Sequence, residues 1–412
     1  MSAVEGWKTA PLGELIVTKN NKAKQIKSSE YSAVGSYPVV DQSSNFICGY
    51  HDDTAKLIDT DLPLTIFGDH TRHTKFIDFP FIAGADGTQL LKPKQEIEDK
   101  FFYYLVTQAA EKIGNFGYDR HFKHLKEYVC DYPRYKTEQT KIAEILSTVD
   151  WAIEQTEALI AKQQRIKTGL MQDLLTRGID EHGNLRSEQT HKFKDSPLGR
   201  IPVEWEVKRL GSLLENINQG WSPDCESDPA GMDEWGVLKT TAVVWQGYQD
   251  CENKALPSVL KPKISLEIKS SDLLMTRAGP NSRVGVISYV YSTRSKLILS
   301  DKIYRLVPAK NVDGRFLCYS LSGFMSQQHL SNLKTGMAES QTNISQDIVK
   351  SLLTVCPPEE EQTQIADRID HVSRESNKSI STLKKLLSLK TALMQDLLTG
   401  KKCVAALLEE TP

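Results

Sequence analysis

Three stretches of this chain gather cationic, imidazole, amide or aromatic side chains at close spacing. That is donor chemistry for phosphates and base edges rather than chemistry for breaking bonds. The first is Gly68–Lys75, GDHTRHTK, which carries His70, Arg72, His73 and Lys75; its counterpart is Arg277–Arg283, RAGPNSR, with Arg277, Asn281 and Arg283. The second is Tyr118–His124, YDRHFKH, with Tyr118, Arg120, His121 and Lys123. Its positional match, Lys334–Asn343, carries Lys334, Gln341, Thr342 and Asn343. The third is Asn218–Pro223, NQGWSP, with Gln219 and Trp221, matched loosely by Lys19–Lys24. Arginine can take guanine bidentately, Asn or Gln can take adenine, and lysine mostly anchors phosphate.

Catalytic constellations are harder to find. The chain has no GxxxxGK[ST] phosphate loop and no GxGxxG opening a helix after a strand. It also lacks the Asn-Pro-Pro-Tyr or Asp-Pro-Pro-Tyr tetrapeptide of amino-methyltransferases. Pro223-Asp224 with Glu267 and Lys269 superficially matches a PD…ExK nuclease pattern, but the elements are short and widely spaced. The pairs His70/His73 and His121/His124 have neither a HExxH glutamate nor a cysteine pair beside them, and the second half of the chain holds no counterpart. Nothing assembles a nucleophile, a base and an orienting group. The expectation is a chain that is no enzyme by itself, with no metal site and no cofactor of its own.

The elements that must position these stretches are written twice. Glu138–Thr176 and Glu361–Thr399 match without a gap at an offset of 223, with 16 of 39 positions identical, and both end in LMQDLLT. The duplication reaches into the globular parts. Trp7 with Leu12-Gly13 is echoed by Trp205 with Leu210-Gly211. Asp61 through Thr65 and Gly68 is echoed by Asp272 through Thr276 and Gly279, and Phe101 and Tyr104 by Phe316 and Tyr319. A period this long is no solenoid, which repeats every ~20–50 residues; it is a duplicated domain-plus-helix unit. Leu62–Phe67, Val284–Tyr291 and Leu297–Leu299 read as short strands, and Phe101–Ile113 and Phe316–Leu333 as amphipathic helices. Gly178–Pro202, polar and punctuated by Gly and Pro, reads as a linker.

The repeated segments follow a heptad. In the first copy Ile142, Val149, Thr156, Gln163 and Leu170 occupy one seam position, and Ile145, Ala152, Leu159 and Ile166 the other. The second copy keeps Ile365, Val372, Leu386 and Leu393, with Ile369, Leu383 and Leu397 alongside. Such a seam could pair two molecules. A chain holding both copies can also pair them internally and antiparallel, and 39 helical residues at ~1.5 Å rise would span roughly 58 Å. The expected fold class is therefore α/β (α+β): two similar globular domains separated by two long helices in an antiparallel coiled coil, related by a pseudo-twofold repeat. The expected boundaries are 1–136 and 181–357 for the globular parts, 137–180 and 358–402 for the helices, and 403–412 for a tail.

Bulk properties fit this reading. The 412 residues are 39% hydrophobic and 25% charged, with a net charge of −2, so any polyanion site is a local patch rather than a basic coat. The seven cysteines form no CxxC pair, which favours reduced thiols over a zinc site. No apolar run reaches the ~18 residues that span a bilayer, and the first residues show no signal-peptide pattern. The expectation is a cytoplasmic protein with no membrane partner.

These residues together carry a family resemblance. Ser196–Gly211, SPLGRIPVEWEVKRLG, resembles the phrase that opens a target recognition domain in the specificity subunit of type I restriction-modification systems. Pro357–Asp370 and Thr137–Asp150 resemble the start of that family's conserved helix, and LMQDLLT closes both copies. The resemblance implies that each globular half reads one half of a bipartite, asymmetric target in double-stranded DNA. It implies that the helices set the gap between half-sites and dock two modification (methyltransferase) subunits, in which S-adenosylmethionine would act. Restriction (endonuclease/translocase) subunits would join where the system has them. On this reading Leu170, Met171, Leu174, Leu393, Met394 and Leu397 of the LMQDLLT segments are the partner-binding residues. Two other readings remain: a coiled-coil scaffold or protein-interaction protein without DNA specificity, and a fused or stand-alone nuclease.

Overall fold

The computed structural model describes residues 6–19, 22–84, 86–114, 120–334, 339, 341–404 and 407. The chain divides into two compact units, Met1–Leu159 with Ser379–Pro412, and Ile160–Lys378. Each unit thus takes half of each long helix, whereas the sequence boundaries had set the helices apart.

The helices in chain order are α1 (Leu12–Leu15), α2 (Asp99–Lys112), α3 (His121–Glu127), α4 (Lys136–Thr176), α5 (Gly314–Ser322), α6 (Phe324–Leu333), α7 (Gln346–Ser351) and α8 (Glu359–Leu397). In the first unit an antiparallel sheet runs Ile16–Lys19, Thr88–Pro93, Leu64–Gly68, Thr74–Ile77. Beside it a second sheet joins Tyr37–Val40 and Phe81–Ala83 in parallel. The strand Trp7–Pro11 pairs with Val129–Pro133 and closes the unit. The second unit repeats the plan. Its sheet runs Leu214–Gln219, Ile303–Pro308, Leu273–Thr276, Ile287–Tyr289; its parallel pair is Gly236–Leu238 with Leu297–Ile298, and its closing pair Glu206–Arg209 with Leu353–Cys356.

The repeated Leu-Gly has a packing reason. A Cβ on Gly13 would lie 2.9 Å from Lys126 Cβ in α3, and one on Gly211 would lie 3.0 Å from Lys350 Cβ in α7. A side chain at either position would press on that helix, so glycine eases the approach of turn to helix. The Asp61 landmark match shifts, however. Thr65 faces Leu91 and Leu273 faces Leu306, while Pro93 and Pro308 hold the same place opposite Ile16 and Leu214. Thr65 therefore corresponds to Leu273 and Gly68 to Thr276, three residues from the alignment read off the sequence. The backbone agrees: Gly68 N donates to His73 O and Arg72 N to Gly68 O, as Thr276 N does to Val286 O and Gly285 N to Thr276 O. Arg72 and Gly285 accordingly share a left-handed backbone, with φ of 60° and 91°.

Three expected elements come out differently. Phe316–Leu333 is two helices, because Gly323 turns extended at ψ 151° and ends α5. Of Val284–Tyr291 only Ile287–Tyr289 is strand. The stretch Gly178–Pro202 is no solvated linker: it folds into the hairpin Phe193–Ser196 with Gly199–Pro202, and Ile179, Leu198 and Ile201 enter the core.

Both long helices form, and each unit shows their antiparallel course by itself. In the first, Cys403 Sγ donates to Glu138 Oε1 at 3.7 Å while Lys390 Nζ meets Asp150 Oδ1 at 2.6 Å. In the second, Ile179 N donates to Glu361 Oε1 at 2.9 Å, and Leu170, Met171 and Leu174 pack in one cluster with Ile365, Ala366 and Ile369. The seam of α8 is the one its sequence suggested, with Ile365 and Ile369 fully buried. In α4 the second seam position falls one residue later than expected. Leu146, Ile153 and Leu174 are buried, whereas Leu159 and Ile166 are 46% and 49% exposed. The spacing in α4 is thus four then three, matching Ile365 and Ile369 at the 223 offset. Among the described residues no helix is long and apolar enough to cross a membrane.

Candidate nucleic-acid interface

In the first unit the strand Leu64–Gly68 ends in a polar turn that receives the start of α3. Asp69 is buried; its carbonyl accepts His121 N at 3.0 Å and its Oδ1 accepts Phe122 N at 2.8 Å. Arg120, just before α3, has a side chain 60% exposed, with Nη1 3.8 Å from Asp69 Oδ2 and Nη2 3.5 Å from Asp86 Oδ2. Gln42 ties the neighbouring turns together, donating to Asp86 O and accepting His70 N. His70, His73, Arg120 and Lys123 are exposed around this knot.

The second unit builds a corresponding knot. Arg277 follows the strand Leu273–Thr276 and donates through Nη1 to Asp301 O at 2.9 Å and through Nη2 to Asn343 Oδ1 at 2.8 Å. Its guanidinium lies 5.2 Å from the Tyr304 ring centroid, a cation–π distance. Ser222 accepts Asp301 N, Lys302 Nζ pairs with Asp301 Oδ2 at 3.1 Å, and Lys263 Nζ sits 4.6 Å over the half-buried Trp221 ring. Gln219, Gln341 and Asn343 are exposed. Stacked aromatic, free amide and paired cations are the groups that grip a backbone and read base edges.

Several expected contacts have other jobs. Lys75 is buried, its ammonium donating to Asp41 O and Asn45 O at 2.7 and 2.5 Å, and burial holds its pKa below that of an ordinary lysine. It anchors a loop rather than a phosphate. His121 is buried, with Nδ1 2.9 Å from Asp69 O, and Thr342 is fully buried. Arg72 is half-buried and spends Nη1 on Ile113 O. Arg283 staples Thr240 O and Val243 O, and Lys334 staples Asn281 O and Val284 O. Asn281 is half-buried, its Nδ2 on Glu339 Oε1. Tyr118 and part of the Lys19–Lys24 stretch lie outside the described residues. Gln42, Asp69, Asp86, Ser222, Lys263, Asp301 and Lys302 were not foreseen; acidic residues carry no sequence signal of a polyanion site, and Lys263 and Ser222 come close only in the fold.

The LMQDLLT segments also differ from expectation. Met394 and Leu397 belong to the first unit's core with Phe101, Leu105 and Ile142, and Leu174 to the second unit's core with Trp205 and Phe316. Leu170, Met171 and Leu393 are partly buried against those same cores. Leu174, Met394 and Leu397 are therefore internal packing, because docking seams and core faces share one apolar pattern. Among the described residues no group of three or more His, Cys, Asp and Glu side chains is placed to hold a metal ion, and Glu267 of the nuclease-like pattern accepts Lys296 N.

Comparison with known proteins places this arrangement. The chain is 41% identical over 172 residues to the type I restriction enzyme EcoEI specificity subunit of Escherichia coli, a match covering 41% of this chain and 29% of that one. It is 26% identical over 276 residues to the MjaVIII specificity subunit of Methanocaldococcus jannaschii, covering 64% and 60%. The matches thus span less than two thirds of either relative. The fold is similar to the crystal structure of a type I restriction-modification S subunit from M. genitalium, with a TM-score of 0.65 at 15% identity over 95% of this chain and 96% of that one. The model of the type I restriction modification DNA specificity domain matches residues 4–163 and again residues 202–388, and the chain belongs to that family.

Proposed function

We propose that this protein is the sequence-reading subunit of a type I restriction-modification complex, each unit reading one half of a bipartite, asymmetric site in double-stranded DNA. The duplication carries the reading. Two units of matching plan each gather cationic or amide side chains where the strand Leu64–Gly68 or its counterpart Leu273–Thr276 ends, exposed cations around Asp69 in the first and exposed amides beside Arg277 in the second. Paired readers of this kind suit an interrupted target, with phosphate contacts fixing position and base contacts giving sequence.

Catalysis belongs to partners on this reading. Two modification subunits would bind S-adenosylmethionine and transfer the methyl group, restriction subunits would join where the system encodes them, and this chain would contribute no cofactor. Docking falls to exposed apolar side chains of the long helices rather than to LMQDLLT. Trp151, Leu159 and Ile166 on α4 and Leu387 and Leu389 on α8 are between 46% and 63% exposed. Exposed apolar groups in such number along paired helices suit a protein interface.

The test is methylation mapping. Cells that express the chain with its methyltransferase should carry methylated adenines in one bipartite motif, and the chain by itself, supplied with S-adenosylmethionine, should transfer nothing. Methylation by the chain alone, or complexes showing no sequence preference, would contradict the proposal.

A further inference from the structure

The two knots share more than a location. The corrected register makes Gly68 equivalent to Thr276, so Asp69 and Arg277 are the same position, one residue beyond the strand. The backbone confirms it: His121 N donates to Asp69 O at 3.0 Å, and Ile344 N donates to Arg277 O at 2.9 Å. The residues preceding those donors, Arg120 and Asn343, are therefore equivalent as well. Each pairs with the strand-end residue of its own unit, Arg120 with Asp69 and Asn343 with Arg277. One position pair thus holds an acid with an arginine in one unit and an arginine with an amide in the other.

Burial divides the labour within each pair. The Asp69 side chain is 2% exposed against 60% for Arg120. Arg277 is half-buried with its Nε enclosed, while Asn343 is exposed. The inner member is fixed by the fold and the outer member is available to a ligand.

Resting on the DNA-reading function proposed above, we infer that Arg120 and Asn343 are the base-reading residues at one duplicated position, held in place by Asp69 and Arg277. Both offer hydrogen-bond donors. Arg120 keeps a guanidinium fork whose long contacts to Asp69 and Asp86 leave it free to take guanine N7 and O6. Asn343 spends Oδ1 on Arg277, and its two Nδ2 protons have no partner among the described residues. Bidentate recognition of adenine uses amide oxygen and nitrogen together, so Asn343 held this way favours a base edge presenting acceptors. The polarity of the inner residue sets that of the outer one. Asp69 attracts a cation, and Arg277 turns an amide so that its donors are left over.

The experiment compares wild type with R120K, R120A and N343D, each assembled with the methyltransferase subunits and challenged with a randomised DNA library. R120K keeps the charge and loses the fork, so guanine preference at a single position of one half-site should fall roughly tenfold to a hundredfold, with the salt dependence of affinity little changed. R120A should lose the same preference and also lower the salt slope. N343D replaces donors with acceptors and should change one base in the other half-site alone. Unchanged motifs in R120A and N343D would overturn the inference while leaving the DNA-reading function intact. Failure of the wild-type complex to select any bipartite motif would instead remove that function.

Discussion

Gln139 accepts the backbone N–H of Glu98 through Oε1 at 2.7 Å, tying the first turn of α4 to the residue that caps α2. Gln362 does the same in the second unit, accepting Asp313 N at 3.0 Å, and Asp313 caps α5. Both side chains are almost wholly buried, and each returns a bond through Nε2, Gln139 to Pro133 O and Gln362 to Pro357 O, both at 2.9 Å. The repeated Glu-Gln-Thr is thus a joint between globular part and long helix. Replacing either glutamine with leucine keeps the volume but strands a buried N–H and a carbonyl, at about 1–3 kcal/mol each. Urea unfolding of Q139L and Q362L should show losses of at least about 2 kcal/mol, and equal stability to wild type would refute the joint.

The neighbouring glutamates are predicted to behave unequally. Glu361 is buried and accepts from Arg186 Nη1 and Nη2 at 2.5 and 3.1 Å, from Trp205 Nε1 at 3.0 Å and from Ile179 N. Breaking a buried charge pair by removing one partner costs about 3–5 kcal/mol, since the other charge is stranded. Glu138, at the equivalent position, has no arginine paired with it among the described residues; Cys403 Sγ at 3.7 Å is a far weaker donor. E361A should therefore lower thermal stability much more than E138A. Similar melting temperatures for the two variants would count against the clamp.

Much of this was legible in the sequence, and the failures share a cause. The duplicated helices were visible because Gln139, Ile142, Gln362 and Ile365 fill equivalent buried sites, which restricts residue type at each. The second seam position of α4 was misread by one because Leu159 and Ile166 are as apolar as the buried positions, and only the second copy marks the true spacing. Leu397 and Met394 were placed at a partner interface because an apolar helix face looks alike whether it meets its own core or another chain. Lys75 was placed on the DNA because a lysine's usual place is the surface, and no sequence pattern shows the two carbonyls waiting for it. Asp69 carries no sequence signal of its own as an acid, although its carboxylate lies 3.8 Å from the arginine beside it. Contacts distant in sequence, such as Lys263 over Trp221, leave no local trace.

Lys75 and Lys123 separate anchoring from DNA contact. K75M leaves the carbonyls of Asp41 and Asn45 without their donor and should destabilise the first unit by about 1–3 kcal/mol. Its direct effect on the salt dependence of DNA affinity should be small. Lys123 is exposed. K123A should leave stability within about 0.5 kcal/mol and lower the salt slope by ~1 if the lysine meets a phosphate. Unfolding curves and affinity titrations at several salt concentrations read both effects. A K75M protein as stable as wild type with a reduced slope would restore Lys75 to the interface.

The long helices offer the sharpest contrast between inside and outside. Leu397 is 5% exposed in the core of the first unit, whereas Trp151 is 63% exposed and Leu159 46%. Truncating Leu397 to alanine opens a cavity and should cost about 2–5 kcal/mol. Trp151→Ser and Leu159→Ser remove apolar surface that already faces water, so the chain's own stability should move by no more than about 0.5 kcal/mol. Association with the modification subunits should respond in the opposite order. An exposed tryptophan that becomes buried at an interface commonly contributes ~2 kcal/mol or more, roughly thirtyfold in Kd. Sedimentation or calorimetric titration of the modification subunits against the three variants measures this directly. Unchanged Kd for W151S and L159S would move the docking surface elsewhere on the chain.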